Sequence, residues 1–139
     1  MLMSNENIST FGEHLIYDAY GCDYSALNNM ETCYNVLNSL VRLAGMHKIT
    51  EPMIIKSEGN LTLGGKDPGG YTGAVFIEES HITIHTFARR GFVTIDLYSC
   101  KEFDTSKIMD YLNETFKPEQ KDIIHFKRGL KYPKDNIYD

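Results

Sequence analysis

Between Ala74 and Cys100 the chain passes through three β-rich runs in close succession: Ala74–Glu79, His81–Phe87 and Phe92–Cys100. Neighbours this close pair as hairpins, which points to a mainly antiparallel sheet. Side chains alternate along a strand, so parity assigns the faces. In the second run Ile82 and Ile84 point one way, and His81, Thr83, His85 and Phe87 point the other. In the third, Val93, Ile95 and Leu97 share a face opposite Phe92, Thr94, Asp96, Tyr98 and Cys100. The aliphatic face is the one that helices should cover. The other carries His85, Asp96, Tyr98 and Cys100, an odd set for plain solvent exposure.

Register sharpens this. If Ala88–Gly91 form a four-residue hairpin loop, Phe87 lies opposite Phe92, and Cys100 falls opposite Glu79, next to Ser80. A slip of two residues would keep the faces and move the partners. The reading therefore sets a serine, a histidine and a thiol on neighbouring strands.

The remaining elements follow from capping and periodicity. His14–Tyr20 reads as a strand ended by Gly21, after a loose polar lead-in over residues 1–12. A helix follows with Asn28 as its cap and Glu31 three residues on, an Asn variant of the capping box. Its apolar face would be Met30, Cys33, Leu37, Leu40, Val41 and Ala44, with Gly45 as the stop. Lys48–Lys56 reads as a strand that Pro52 pushes to an edge. Residues 57–73 hold six of the eleven glycines and read as loop. A second helix is expected at Ser106–Phe116, capped by Asp104 or Thr105, then a last strand at Asp122–Lys127 and a polar tail from Gly129. The order βαββββαβ predicts one α+β domain over residues 1–139, a two-layer sandwich with helices on one face of the sheet.

With 139 residues the chain can bury a real core, and 42% hydrophobic against 24% charged residues is the balance of a soluble globular protein. A net charge of −5 argues against a nucleic-acid partner. No apolar run is long enough to span a bilayer, and the N-terminus lacks the basic and apolar regions of a signal peptide. Three cysteines without a CxxC pair point to free thiols in a reducing compartment, so a cytoplasmic location is expected and neither a disulfide nor a zinc site is.

Three chemical readings arise from the residues themselves. Gly59–Lys66 is one residue too long for a phosphate-binding P-loop and lacks Ser or Thr after the lysine, so a substrate-covering or plain surface loop is the better account. His81 and His85 look like a metal pair, but four residues on a strand separate them by about 13 Å, too far for one ion. Cys100 fits either a small buried hydrophobe or the nucleophile of a Cys–His pair with His85. Composition and periodicity leave these two open.

The run Glu78-Glu79-Ser80-His81-Ile82-Thr83-Ile84-His85-Thr86, with Tyr71-Thr72-Gly73 before it and Asp96-Leu97-Tyr98-Ser99-Cys100 after it, resembles the prokaryotic S-adenosylmethionine decarboxylase proenzymes. Thr72 lies eight residues before Ser80, His85 five after it and Cys100 twenty after it, as in that family. Gly12-Glu13-His14-Leu15 and Tyr20-Gly21-Cys22-Asp23 are similar to the family's opening strand, and the likeness covers roughly 12–127. The resemblance implies self-cleavage between Glu79 and Ser80 into 1–79 and 80–139, with Ser80 converted to a pyruvoyl cofactor. It implies that His85 is the base for elimination, that Thr72 steadies the processing intermediate in place of a serine, and that Cys100 reprotonates the substrate. An ordinary thiol, with a pKa of about 8.5, is mostly protonated at neutral pH and suits a donor. On this reading Ser80, His85 and Cys100 share the side away from the helices, and two processed protomers form a homodimer with active sites near the interface.

The resemblance breaks in the substrate pocket. Where the family reads HTWPE, this chain has His85-Thr86-Phe87-Ala88-Arg89. Phe87 can still stack on adenine with less area, but Arg89 is donor-only where a glutamate would accept the ribose hydroxyls. The family's upstream FxxF…G stretch has no counterpart; Gly64-Gly65-Lys66-Asp67-Pro68 stands there. Two substrate classes follow: S-adenosylmethionine, or a basic amino acid such as arginine or ornithine. The second needs an acid for the distal cation, for which Asp18, Asp67 and Asp96 are candidates. A non-catalytic, unprocessed homologue is the third reading.

Overall fold

The computed structural model describes residues 5–139. Nine strands and three α-helices alternate along the chain among the described residues. They are β1 (Ile8–Ser9), β2 (Gly12–Tyr20), α1 (Tyr24–Leu27), α2 (Met30–Leu43), β3 (His47–Lys48), β4 (Met53–Ser57), β5 (Gly70–Glu78), β6 (Ser80–Phe87), β7 (Phe92–Ser99), α3 (Thr105–Phe116), β8 (Gln120–Arg128) and β9 (Tyr132–Pro133). The main sheet runs β3-β5-β6-β7-β2-β8, with β4 also paired to β5, and every pairing is antiparallel.

Alternation assigns the sheet faces as expected. Val75, Ile77, Ile82, Ile84, Val93, Ile95, Leu97, Leu15, Tyr17 and Ala19 are all buried on one side. Against them α2 sets Cys33, Val36, Leu37, Leu40 and Val41, and α3 sets Ile108, Leu112 and Phe116. Each large apolar side chain buried this way contributes about 1.5–3 kcal/mol. The one polar atom that Tyr17 brings into this layer is satisfied, its hydroxyl donating to Asn113 Oδ1 at 3.0 Å. This is the α+β two-layer sandwich, with helices on one face and the other face of the sheet uncovered.

Several boundaries differ from the sequence reading. Asn29, not Asn28, caps α2: its side chain accepts from the Thr32 N–H at 3.1 Å, while Asn28 closes the short helix α1. Met30 is 46% exposed, and Val36 takes the core position. The strand expected over Lys48–Lys56 is two pieces, β3 and β4, separated around Pro52, which has no N–H to give the ladder. Residues 70–73, read as loop, begin β5. At Gly70 (φ 154°) a Cβ would collide with the Thr86 carbonyl oxygen, so the glycine there marks a close strand approach and not a loop. The lead-in and the tail pair with each other as β1 and β9.

The β6–β7 hairpin has the expected loop. Ala88–Arg90 make a single 3₁₀ turn closed by Gly91 in the left-handed region (φ 63°), and Phe87 pairs with Phe92.

Candidate active site

The β5–β6 connection is a single residue, Glu79, and Cys100 lies across from it at the end of β7. The Cys100 N–H donates to the Glu79 carbonyl at 3.1 Å, and the Glu79 N–H donates to Cys100 Sγ at 3.3 Å. The carbonyl of the Glu79–Ser80 peptide is thus polarised by a fixed backbone donor, with a thiol alongside. The preceding Glu78–Glu79 peptide is cis.

Ser80 departs from strict strand alternation. Its register partners are Ile77 and Ser99, both buried on the helix side, so strict alternation would turn its hydroxyl away from the open face. Its φ is 137°, a region that L residues rarely occupy, at a cost of about 1–3 kcal/mol. With that backbone, Ser80 Oγ lies 3.4 Å from Nδ1 of His81, whose row faces the uncovered side.

His85 and Thr72 form a second group. They are register partners, and Thr72 Oγ1 is 3.2 Å from His85 Nδ1. This pair sits five residues along β6 from Ser80, about 16 Å at strand rise. The sequence reading places serine, thiol and histidine together; within one chain the fold joins Cys100 to Glu79, the residue before Ser80, and Thr72 to His85, and holds the two pairs apart.

Between them the open face carries a cluster that the sequence reading did not assemble. His14 Nε2 is 2.9 Å from Asp96 Oδ1, and Arg128 Nη1 is 3.1 Å from His14 Nδ1. Arg128 can only donate, so His14 Nδ1 accepts and its Nε2–H donates to Asp96. The guanidinium lies 4.0 Å from the centre of the Tyr98 ring, and His81 meets that ring edge-on at 5.7 Å. Burial holds the His81 imidazole below the usual histidine range, helped by any proton on His14 and by the Arg128 charge, with Asp96 opposing. Parity could have found His14, His81, Asp96 and Tyr98 on one face; Arg128 needed the β2–β8 pairing, which is not local.

The residues expected to bind substrate divide between two clefts that share Pro68 in their walls. Phe87 lines one of about 490 Å³, beside Phe92, Tyr20, Lys66 and Arg90. Its ring is 5.4 Å from Phe92, and Phe92 is 5.2 Å from Tyr20, a continuous aromatic wall. Arg89 lines the other, of about 420 Å³, with Lys56, Tyr24 and Tyr71. The three acids considered for a distal cation are all engaged. Asp18 accepts from Thr94 Oγ1 at 2.5 Å, Asp96 faces His14, and Asp67 accepts from the Gly69 N–H at 2.8 Å. Among the described residues no three His, Cys, Asp or Glu side chains converge as a metal site. No helix among them is long and apolar enough to cross a membrane.

Fold and site together define a two-layer α+β protein whose own backbone, at one strand junction, is flanked by a hydroxyl, an imidazole and a thiol. Residues 13–129 match the family model described as S-adenosylmethionine decarboxylase. The S-adenosylmethionine decarboxylase proenzyme of Anoxybacillus flavithermus is 32% identical over 123 residues, 88% of this chain and 91% of that protein. The proenzyme of the same description from a Sulfurihydrogenibium species is 33% identical, over 87% of this chain and 84% of its own. Among solved structures, the adenosylmethionine decarboxylase from Aquifex aeolicus superposes with a TM-score of 0.70 at 30% identity, covering 92% of this chain and 98% of that one. The chain belongs to the S-adenosylmethionine decarboxylase family.

Proposed function

We propose that this chain is a proenzyme that cuts itself between Glu79 and Ser80 and then decarboxylates S-adenosylmethionine, supplying the aminopropyl donor for spermidine synthesis. Substrate and reaction come with the family. The family match favours S-adenosylmethionine over arginine or ornithine, and the prior engagement of Asp18, Asp67 and Asp96 agrees with it.

The observation that carries self-processing is the geometry at Glu79. Its carbonyl is held by the Cys100 N–H at 3.1 Å, so negative charge developing on that oxygen meets a donor already in place. The pyruvoyl group left from Ser80 would supply a carbonyl for the substrate amine and an electron sink for the bond that loses CO₂. The surrounding residues fit such a group. Cys100, within hydrogen-bond reach of the Glu79 N–H, stands at the new N-terminus as proton donor. His85 is the base for elimination, and Thr72 orients its ring through Nδ1. Phe87 offers a stacking face to the adenine, and Arg89 donates from the adjoining cleft.

His85 lies about 16 Å from Ser80 in the same chain, so this division of labour requires a second copy. The uncovered sheet face is suited to one. Met53, Ile55 and Phe76 near one edge, and Ile124 and Phe126 at the other, are large apolar side chains exposed by 40% or more. A homodimer joined through these faces buries them and can bring His85 and Thr72 of one copy to Ser80 of the other. The charge balance and free thiols suit a cytoplasmic enzyme without nucleic acid or membrane as partner.

Intact mass under denaturing conditions tests the reading. Two polypeptides divided between Glu79 and Ser80, the second carrying pyruvoyl, are expected, with CO₂ released from S-adenosylmethionine and not from arginine or ornithine. Ser80→Ala should give one uncut, inactive chain. Decarboxylation by that variant would sink the proposal.

A further inference from the structure

Breaking the Glu79–Ser80 bond starts from a serine hydroxyl, a weak nucleophile until an adjacent base takes its proton. Within the chain His85 is too distant for this, and its Nδ1 is occupied by Thr72. The base within reach is the next residue. His81 Nδ1 lies 3.4 Å from Ser80 Oγ, a length ordinary for a resting site that tightens as reaction proceeds. On a regular strand adjacent side chains point to opposite faces and would not meet. The φ of 137° at Ser80 is what brings this hydroxyl and this imidazole together.

Resting on the self-processing reading above, we propose that His81 is the general base of the first cleavage step. The Oγ–H proton passes to His81 Nδ1 as Oγ bonds to the Glu79 carbonyl carbon, and the carbonyl π pair moves onto oxygen, where the Cys100 N–H receives it. The oxygen pair then returns, the Glu79 C–N bond breaks, and the Ser80 nitrogen takes the proton back from His81. A peptide has become an ester, with no other reactant consumed. His85 is left for the later elimination, so the two histidines of the motif serve successive steps.

The surroundings of His81 suit a base. Tyr98, paired with it on β7, fixes the ring edge-on, and Phe76, its partner on β5, brings no charge. The charged or titratable groups facing it are His14 from β2, Asp96 and Tyr98 from β7 and Arg128 from β8. Burial, aided by the Arg128 charge, outweighs Asp96 and keeps the imidazole below the usual histidine range, so it is neutral at neutral pH and ready to accept a proton.

The test follows full-length chain after synthesis by intact mass, with and without hydroxylamine, which cleaves an ester to a hydroxamate and leaves a peptide alone. His81→Ala and the near-isosteric His81→Gln should both slow cleavage on the order of 100-fold or more. Their uncut chains should resist hydroxylamine, because the ester never forms. His85→Ala should stall one step later, with uncut chain that hydroxylamine splits at Glu79. Cooperative thermal melting of His81→Gln, close to that of Ser80→Ala, separates lost chemistry from lost fold. Cleavage of both His81 variants at the wild-type rate, or a hydroxylamine-sensitive ester in them, would overturn the role of His81 and leave self-processing intact. A wild-type chain that stays uncut would overturn both.

Discussion

Of the three thiols only Cys100 is accessible. Cys22 and Cys33 lie in the core, where burial pushes both up to about 11. Thiolate is the form that reacts with alkylating agents. Iodoacetamide at pH 8 should therefore modify Cys100 first, and decarboxylation should fall in step with that single adduct, as peptide mapping against activity will measure. Equal labelling of all three would mean that the packed side of the sheet is open. His81 adds a pH dependence. Its pKa is lowered in the folded state, so between the unfolded value near 6.5 and the lower folded one the unfolded chain binds more protons. Its contribution to stability is complete above about pH 6.5 and is lost as pH falls through the folded value. The melting temperature should drop more between pH 7 and 5.5 in Ser80→Ala than in the double variant that adds His81→Gln. Parity on the sequence placed His81 on the correct face, because alternation is a property of any regular strand. Strict alternation alone would put Ser80 with Ile82 on the helix side; the positive φ that sets its hydroxyl beside His81 leaves no pattern in the neighbouring residues.

Among the elements, the hairpin of β6 and β7 was legible to within a residue at its ends. Of the registers its loop length allows, the structure has the one with Phe87 opposite Phe92, which also sets Cys100 against Glu79. Helix α2 was legible in its face and not in its start, because Asn28 and Asn29 are equivalent by composition and only the backbone decides which one caps. Asn29 is extended (φ −145°) and bonds to the Thr32 N–H, whereas Asn28 belongs to the preceding turn. Asn29→Ala should cost about 1 kcal/mol in urea unfolding of the Ser80→Ala chain, and Asn28→Ala only a few tenths. Equal losses would show that the cap is shared. The β3–β4 break and the early start of β5 were hidden for a different reason. Glycine-rich sequence reads as loop, and the demand for glycine at Gly70 comes from Thr86, sixteen residues away.

For the whole molecule, the proposed cut between Glu79 and Ser80 would fall between adjacent strands and leave the two products interlocked. Residues 1–79 supply β3, β4, β5 and β2, residues 80–139 supply β6, β7 and β8, and the sheet order interleaves them. Three long ladders cross between the products, at β5–β6, β7–β2 and β2–β8, besides the helices packed over them. Cleavage there would sever one bond and no part of the core, and the products should stay together until denatured. The same geometry decides whether the proposed catalytic residues could act within a chain or only between chains. Ser80 and His85 share one strand, and no rearrangement that keeps β6 paired on both sides can close about 16 Å between them. Ser80→Ala alone and His85→Ala alone should each remain uncut. Expressed together, under the proposed face-to-face assembly they would form mixed dimers in which the intact Ser80 of one chain can meet the intact His85 of the other. The His85→Ala chain should then be cleaved in those dimers, to about half of that chain if pairing is random, and the Ser80→Ala chain not at all. Mass spectrometry resolves the two because the substitutions lie on the same product. Absence of cleavage in the mixture, alongside a dimer by sedimentation, would mean that His85 acts elsewhere and that the face-to-face assembly is wrong.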